Sequence, residues 1–274
     1  MRTHSCKQTV YASLVPVMLV SAAARLQLPS EQPFRQQLAS VYDRLATMKE
    51  WNSAEDLSLK LQVKELTNSY ILGAINQATP SSAGSLEHDL NESFSQAIGH
   101  MSMEDLRKYW GDVHYASVLV APWGEQDALV VGYMIPHGNT SLDVIEVAVH
   151  ASGGGYQFVA EGGREMENHA LQLTLMPRGS SQAIRFLAYG QRLSANQSPV
   201  GVVLYQFDGK SLAATWSRSD LRQGAVNTQG NKIILTYQDA SHFEKGTPPY
   251  FLREEYELTS HGVKLASKRW VDSK

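Results

Sequence analysis

The chain has 274 residues, with 24 Lys and Arg against 27 Asp and Glu, so its formal net charge is −3. Hydrophobic residues make up 43% of it and charged residues 19%, an ordinary globular composition that excludes a long disordered, collagen-like or coiled-coil chain. The near-neutral balance lacks the basic stripe that neutralises phosphates, so nucleic acid is not an expected partner.

The amino end has the pattern of a secretory signal peptide. Arg2 and Lys7 give a positive start, and an apolar stretch of 15 residues ends in three alanines at Ala24. This stretch is shorter than the ~20 residues that span a bilayer. We predict a signal peptide over residues 1–24, cleaved before Arg25, with a retained membrane anchor or a buried helix as alternatives. The predicted location is therefore the periplasm or the extracellular space, with no membrane span after cleavage.

The only cysteine of the sequence, Cys6, precedes the apolar stretch, whereas a lipoprotein cysteine would follow it. Cleavage before Arg25 would leave a chain without cysteine. Such a chain has no disulfide, no thiol nucleophile and no cysteine-bound metal, so its core must be stable without cross-links.

Residues 25–112 are predicted to be helical, because apolar residues recur there at intervals of three and four positions. One helix should start after Ser30. A second should start after Ser53, which forms a capping-box pattern with Asp56. The two helices should form an antiparallel hairpin across the turn at residues 51–52.

Two shorter helices are expected in the rest of this region. One follows the Ser- and Gly-containing loop at residues 79–84 and covers residues 86–98, and the other is capped by Ser102 with Asp105. One alternative concerns the second helix of the hairpin, because residues 57–63 also alternate as a strand would. The helix-forming residues that continue this segment favour the helix.

From residue 113 onward the period changes to two, and β-branched and aromatic residues become frequent between turn signals. Asp208 and Gly209 between two alternating runs are typical of a tight hairpin. Successive hairpins make neighbouring strands antiparallel. The predicted strands are residues 117–121, 128–135, 143–150, 156–160, 171–176, 184–189, 201–207, 212–216, 224–228, 232–237, 250–258 and 263–270.

These elements predict an α+β fold, with a helical hairpin and short helices over residues 25–112 and an antiparallel β-meander domain over residues 113–274. Twelve strands exceed what one open sheet comfortably holds, because the twist of a large sheet makes it curl or split. A sandwich, a barrel and blade-like stacked sheets all remain possible arrangements of the β-domain.

One segment of the β-domain resembles a blade of the bacterial exported propellers. Residues 201–237 place Tyr205, Phe207, Trp216 and Tyr237 around the Asp-Gly turn. The segment lacks the Trp-Asp signature and the calcium-loop motif of such blades. A full propeller also needs at least ~16 strands, more than are predicted here, so the resemblance is to one blade and not to the family.

No local motif predicts a metal site, a cofactor site or an activated nucleophile. The glycines at residues 153–155 and 162–163 are followed neither by Lys-Ser or Lys-Thr nor by a predicted helix, which favours hairpin turns over a phosphate loop. The histidines form no His-x-His or His-Glu-x-x-His motif, and no Gly-x-Ser-x-Gly motif is present. We expect no metal and no cofactor.

One cluster of ionisable residues could support catalysis. Asp239, His242 and Glu254 fall on two predicted neighbouring strands and their connection. If they share a cleft, a carboxylate and a histidine could act as acid and base. This arrangement is the basis of the alternative that the protein is a hydrolase-like enzyme.

The same strands also allow a purely structural interpretation. Strand alternation puts Arg253, Glu255 and Glu257 on one face of the sheet, and Glu254 lies on the other. The first three would then be charge partners of two lysines of the last strand on a solvated face. Those lysines are Lys264 and Lys268.

Four aromatic residues are candidates for a sugar or peptide platform: Trp123, Trp216, Tyr250 and Trp270. Packing in the core is the alternative use for such side chains. Because no catalytic motif is present, we predict an exported soluble binding or envelope-interaction protein, with an unknown protein or glycan partner, rather than an enzyme. The oligomeric state does not follow from the sequence.

Overall fold

The computed structural model describes residues 31–50, 53–77, 83–99, 114–137, 140–166, 171–178, 182–192, 199–239, 250–260 and 262–272. The predicted signal peptide, the turn at residues 51–52 and the predicted helix after Ser102 lie outside these residues. The described part consists of three helices followed by three antiparallel four-stranded sheets, which confirms the predicted α+β class.

The helical hairpin is present, and its second helix begins at the predicted cap. The amide of Asp56 donates to Ser53 Oγ at 3.1 Å. Residues 57–63 are helical and not extended: Leu57 and Leu61 face solvent with 50% and 44% of their surface exposed. The first helix packs against the other two. The helices are α1 (Glu31–Thr47), α2 (Ala54–Gln77) and α3 (Ala83–Gly99).

Each sheet is a meander in which every strand pairs with its neighbour along the chain. Among the described strands no sheet closes into a barrel, so stacked open sheets are the arrangement observed. Sheet 1 contains β1 (Ala116–Trp123), β2 (Gln126–His137), β3 (Thr140–His150) and β4 (Tyr156–Gly162). Sheet 2 contains β5 (Gln172–Met176), β6 (Ile184–Gln191), β7 (Val200–Phe207) and β8 (Leu212–Leu221). Sheet 3 contains β9 (Ala225–Gln229), β10 (Lys232–Gln238), β11 (Phe251–Thr259) and β12 (Gly262–Val271).

The helices and sheets are stacked as four layers with an apolar core between each adjacent pair. Phe94 of α3 packs with Tyr133 of β2 in the core between the helices and sheet 1. Phe186 belongs to the core between sheets 1 and 2, whereas Leu187 belongs to the core between sheets 2 and 3. Because successive side chains of a strand point to opposite faces, one strand contributes to two cores. Sheet 2 is therefore covered on both faces.

Sheet 3 has one apolar face and one charged face. Tyr256 and Leu258 pack toward sheet 2, while Arg253 and Glu255 lie on the opposite face and form an ion pair at 3.1 Å. This is the alternation predicted for β11. Among the described sheets, this charged face ends the stack on that side.

The two glycine clusters have different roles. Residues 153–155 form the predicted hairpin turn between β3 and β4, and Asn76 Nδ2 of α2 donates to the carbonyl oxygen of Tyr156 beside it at 3.2 Å. The prediction of a hairpin at residues 162–163 is wrong, because Gly162 ends β4 and the chain then passes to sheet 2. At Gly163, φ is +111° and a Cβ would lie 2.5 Å from the carbonyl oxygen of Asp143, so only glycine fits this close approach.

None of the helices in the described ranges combines the length and the apolar character needed to cross a bilayer.

Candidate functional site

A β-bulge in β8 turns part of that strand toward sheet 3. Trp216 pairs with Leu204, whereas Ala214 pairs with Tyr205, the next residue of β7. Thr215 is therefore an extra residue, and its hydroxyl donates to the carbonyl oxygen of Leu204 at 3.1 Å. A bulge reverses the faces of the residues that follow it. The side chain of Trp216 consequently packs in the core between sheets 2 and 3.

A second bulge lies in β12, across the same inter-sheet space. Glu255 pairs with Ser267 and Tyr256 pairs with Leu265, so one residue of β12 is unpaired between them. Without this bulge, regular pairing would put Lys268 opposite Arg253 on the charged outer face. With it, Lys268 lies opposite Glu254 on the inner face. The structural interpretation made Lys268 a partner of the outer-face residues, and the bulge is the reason that the partner is Glu254 instead.

The two bulges bring two cations onto one carboxylate. Arg218 Nη1 lies 2.6 Å from Glu254 Oε2, and Lys268 Nζ lies 3.2 Å from Oε1. The hydroxyl of Tyr256 also donates to Oε2 at 2.8 Å. The Glu254 side chain is 4% exposed, against 31% for Arg218 and 53% for Lys268. The carboxylate is thus at the bottom of the arrangement and the cations are at its rim.

The guanidinium of Arg218 also binds two phenols. It donates through Nη2 to the Tyr237 hydroxyl at 3.3 Å and through Nη1 to the Tyr256 hydroxyl. Its carbon lies 5.8 and 5.9 Å from the centroids of the two rings, within cation–π range. The ring of Trp216 is tilted against that of Tyr256 with centroids 5.0 Å apart. We call Arg218, Tyr237, Glu254, Tyr256 and Lys268 the Glu254 cluster.

The electrostatics of the Glu254 cluster favour the ionised pair. Burial acts to raise the pKa of Glu254, but the hydrogen bond from Tyr256 and the charge of Arg218 outweigh it, so the pKa lies below its ordinary value. The pKa of Arg218 is raised despite burial, by its bond to Tyr237 and the charge of Glu254. Burial and the bond to Glu254 raise the pKa of Tyr256 to about 12. Glu254 therefore carries no proton to donate near neutral pH.

Of the three predicted catalytic residues, the structure describes Asp239 and Glu254, and it does not bring these two together. Asp239 follows the end of β10, where its amide donates to the carbonyl oxygen of Tyr250 at 3.3 Å. Glu254 lies opposite Leu235 of β10. Leu235 precedes Asp239 by four residues, which corresponds to a separation of roughly 13 Å along the strand. His242 lies outside the described residues.

The predicted aromatic platform is divided between two places. Trp123 belongs to the core between sheets 1 and 2, where its ring centroid lies 5.2 Å from that of Phe207. Trp216 and Trp270 are on strands that border the space between sheets 2 and 3, and Trp270 is 40% exposed. Tyr250 is half-buried just before β11. Packing thus accounts for Trp123, while Trp216 lies beside the Glu254 cluster.

Sequence reasoning missed a buried ionic group between α2 and sheet 1. The carboxylate of Asp56 lies 3.0 Å from Lys60 Nζ and 2.6 Å from His137 Nδ1. None of the three residues is more than 3% exposed. The spacing of four residues between Asp56 and Lys60 on a helix could have predicted an ion pair, but Asp56 was predicted only as part of the helix cap. His137 comes from the far end of β2, which local patterns do not relate to α2.

Two further features of α3, a group of possible metal ligands and a glycosylation sequon, give weaker evidence of a functional site. His88, Asp89 and Glu92 are the three-residue group within the described ranges that could hold a metal ion, but Arg35 Nη2 already lies 3.0 Å from Glu92. Of the Asn-x-Ser/Thr sequons at Asn91, Asn139 and Asn196, the last two lie outside the described residues.

Asn91 anchors the entrance of β1 to α3. Its Oδ1 accepts from the amides of Tyr115 and Ala116 at 2.7 and 3.1 Å, and its Nδ2 donates to the carbonyl oxygens of Glu87 and Ala116 at 2.9 and 2.8 Å. Glycosylation of the Asn91 side-chain nitrogen would break these bonds. The sequon at Asn91 is therefore structural in the folded chain.

Comparisons with known proteins add no assignment. No protein-family model matches the chain, and no curated protein is similar to it in sequence. A solved structure of the α-L-arabinofuranosidase Arb93A from Fusarium graminearum, in complex with an iminosugar inhibitor, is 13% identical and superimposes with a TM-score of 0.29. The match covers 58% of this chain and spans 50% of that enzyme. So loose a superposition supports no argument about fold or activity.

Proposed function

We propose that the protein is an exported binding protein that acts in the cell envelope or outside the cell, and that the Glu254 cluster does not act as catalytic acid. The observation that carries this proposal is the state of Glu254. Both of its carboxylate oxygens are engaged by partners from Arg218, Tyr256 and Lys268. A carboxylate held in this way is a permanent charge, which suits recognition better than proton transfer.

Export is supported by the sequence of the amino end. Arg2 and Lys7, the apolar stretch and the small residues at Ala24 have the order that a signal peptidase recognises. Intact-mass analysis of the protein secreted by an expressing bacterium would test it. We expect a mature chain that begins at Arg25, and recovery of the chain with Met1 still attached would contradict the proposal.

The hydrolase-like alternative requires a proton donor with a pKa near the working pH. The lowered pKa of Glu254 and its separation from Asp239 argue against this role. An array of oligosaccharides and peptides, probed with the exported protein, should give stable binding without conversion of the bound ligand. Turnover that is lost in a folded Glu254→Gln variant would refute the proposal.

A further inference from the structure

The Glu254 cluster carries one more positive than negative charge. Arg218 and Lys268 are both cationic, and Glu254 is the single anion between them. The other charged residues of β11 that the structure describes, among them Arg253 and Glu255, are on the opposite face. Because the neutralising carboxylate is buried while both cations reach the surface, the excess positive charge is presented to solvent.

The two cations also keep hydrogen-bond donors that the cluster does not use. A guanidinium has five N–H groups and an ammonium has three. Within the described residues, Arg218 uses three of them, on Glu254, Tyr256 and Tyr237. Lys268 uses one, on Glu254. The Arg218 side chain is 31% exposed and the Lys268 side chain is 53% exposed, so both side chains that carry the remaining donors reach solvent.

The position of these donors depends on two bulges in facing strands. Regular strands would direct Trp216 toward sheet 1 and Lys268 toward the outer face. A bulge sacrifices regular backbone pairing, and bulges are over-represented beside functional sites, where they re-aim side chains. The convergence of two such irregularities on one carboxylate is a second indication, independent of charge, that the site receives a ligand.

On these grounds we infer that the Glu254 cluster binds the carboxylate of an acidic sugar; this inference rests on the proposed binding function. A monovalent anion balances the excess charge of the cluster, whereas a phosphate dianion would leave a net negative charge beside Glu254. A planar carboxylate also matches the geometry of a guanidinium. Free donors on Arg218 and Lys268 hold the carboxylate at the rim.

The neighbouring aromatic side chains indicate the rest of the ligand. Trp216 is half-buried against Tyr256. Trp270 follows Lys268 by two residues on the same face of β12 and is 40% exposed. Binding sites combine flat apolar surfaces of this kind with a few placed polar groups. A uronic acid offers both a carboxylate and a sugar ring with an apolar face.

The test is a titration of the exported protein with methyl galacturonoside, a uronic acid with a single carboxylate, followed by tryptophan fluorescence and by calorimetry. The neutral methyl ester of the same glycoside, the 6-sulfate of methyl galactoside and sodium phosphate are the comparison ligands. Lys268→Gln is the variant of choice, because Arg218 remains on Glu254 and the fold should be retained. Lys264→Gln is the matched control, since Lys264 lies on the same strand opposite Glu257 on the outer face.

We expect the acidic glycoside to bind and its methyl ester to bind at least tenfold more weakly. Lys268→Gln should weaken binding of the acid about tenfold, as expected for loss of one charge-assisted bond, and Lys264→Gln should leave it within twofold. Equal binding of acid and ester, equal effects of the two variants, or binding of phosphate or sulfated sugar as tight as that of the acid would overturn the inference.

The same variants separate this inference from the proposed function. If a ligand from the array binds Lys268→Gln protein as tightly as the unmodified protein, the binding function stands and the assignment of the site falls. If neither the array nor the titrations give a ligand, both fall.

Discussion

Replacing Glu254 by Gln tests whether its charge holds sheets 2 and 3 together. The substitution keeps the size of the side chain and an acceptor for Tyr256, but it removes the negative charge that Arg218 and Lys268 share. The two cations then face each other without compensation. The loss should therefore exceed that of an ordinary surface charge.

The magnitude follows from the exposure of the partners. A hydrogen bond to a charged group contributes about 1.5 to 3 kcal/mol when it is buried. Arg218 and Lys268 are 31% and 53% exposed, and exposed ion pairs contribute at most about 1 kcal/mol. We expect Glu254→Gln to lower the free energy of unfolding by about 2 kcal/mol, the upper limit for two exposed ion pairs. For a chain of this size the Tm should fall by about 4 to 8 °C.

Urea unfolding followed by tryptophan fluorescence and circular dichroism measures this difference. Glu257→Gln is the control, because Glu257 lies on the same strand but on the outer face, where its described partner is Asn231 Nδ2 at 3.2 Å. It should cost less than about 0.5 kcal/mol. Equal losses in the two variants would show that the position of Glu254 has no special role.

The pH dependence provides an independent check. The pKa of Glu254 is lowered in the folded chain, so the unfolded chain binds the proton more readily. The stabilisation of the folded chain by ionised Glu254 is present above the unfolded pKa of about 4.3 and is lost as the pH falls through the folded pKa. The difference in free energy of unfolding between the unmodified protein and Glu254→Gln should therefore narrow below about pH 4.3. A difference that stays constant down to the pH of acid unfolding would refute the reasoning.

Four other substitutions test features of the fold, each by chemical unfolding. Gly163→Ala should cost more than about 2 kcal/mol because its Cβ would lie 2.5 Å from a backbone oxygen. Gly124→Ala, at positive φ with nothing within 4 Å, should cost about 1 kcal/mol. A larger loss for Gly124→Ala than for Gly163→Ala would contradict the close approach of Gly163 to the Asp143 carbonyl oxygen. Asn91→Ala removes three hydrogen bonds from α3 to residues 115–116 at the start of β1 and one within α3 to the Glu87 carbonyl oxygen. It should cost about 2 to 3 kcal/mol, and an unchanged midpoint would contradict the anchoring role. Asp56→Asn removes the buried charge beside Lys60 and should cost about 3 to 5 kcal/mol. A loss below about 1 kcal/mol would contradict the claim that this charge stabilises the fold.

The periodic part of the fold was predictable from sequence. Every predicted strand overlaps one observed strand, and α2 starts after Ser53 as predicted. In β7, which is buried on both faces, the signal is the run of β-branched and aromatic residues between turns. In β11, which has one face on sheet 2 and the other in solvent, alternation is a direct record of burial. Arg253 and Glu255 were assigned to the solvated face for the same reason.

The candidate site was less predictable because it depends on departures from the period. One extra residue at Thr215 reverses the side chains after it, and the unpaired residue of β12 does the same for Lys268. An extra residue shifts the phase of the alternation, but the short and mixed sequence of β8 does not show where the shift occurs. Arg218 was therefore never connected with Glu254, although Glu254 itself was singled out.

The layered build has a consequence for how the molecule opens. The contacts between layers join the helices to sheet 1, sheet 1 to sheet 2 and sheet 2 to sheet 3, so cooperativity spreads from neighbour to neighbour, much as in a solenoid. Fraying can start at either end of such a column and leave its middle intact. The amide hydrogens of β7, a central strand of the middle sheet with seven of its eight residues buried, can exchange with solvent only after a whole flank of the column has separated.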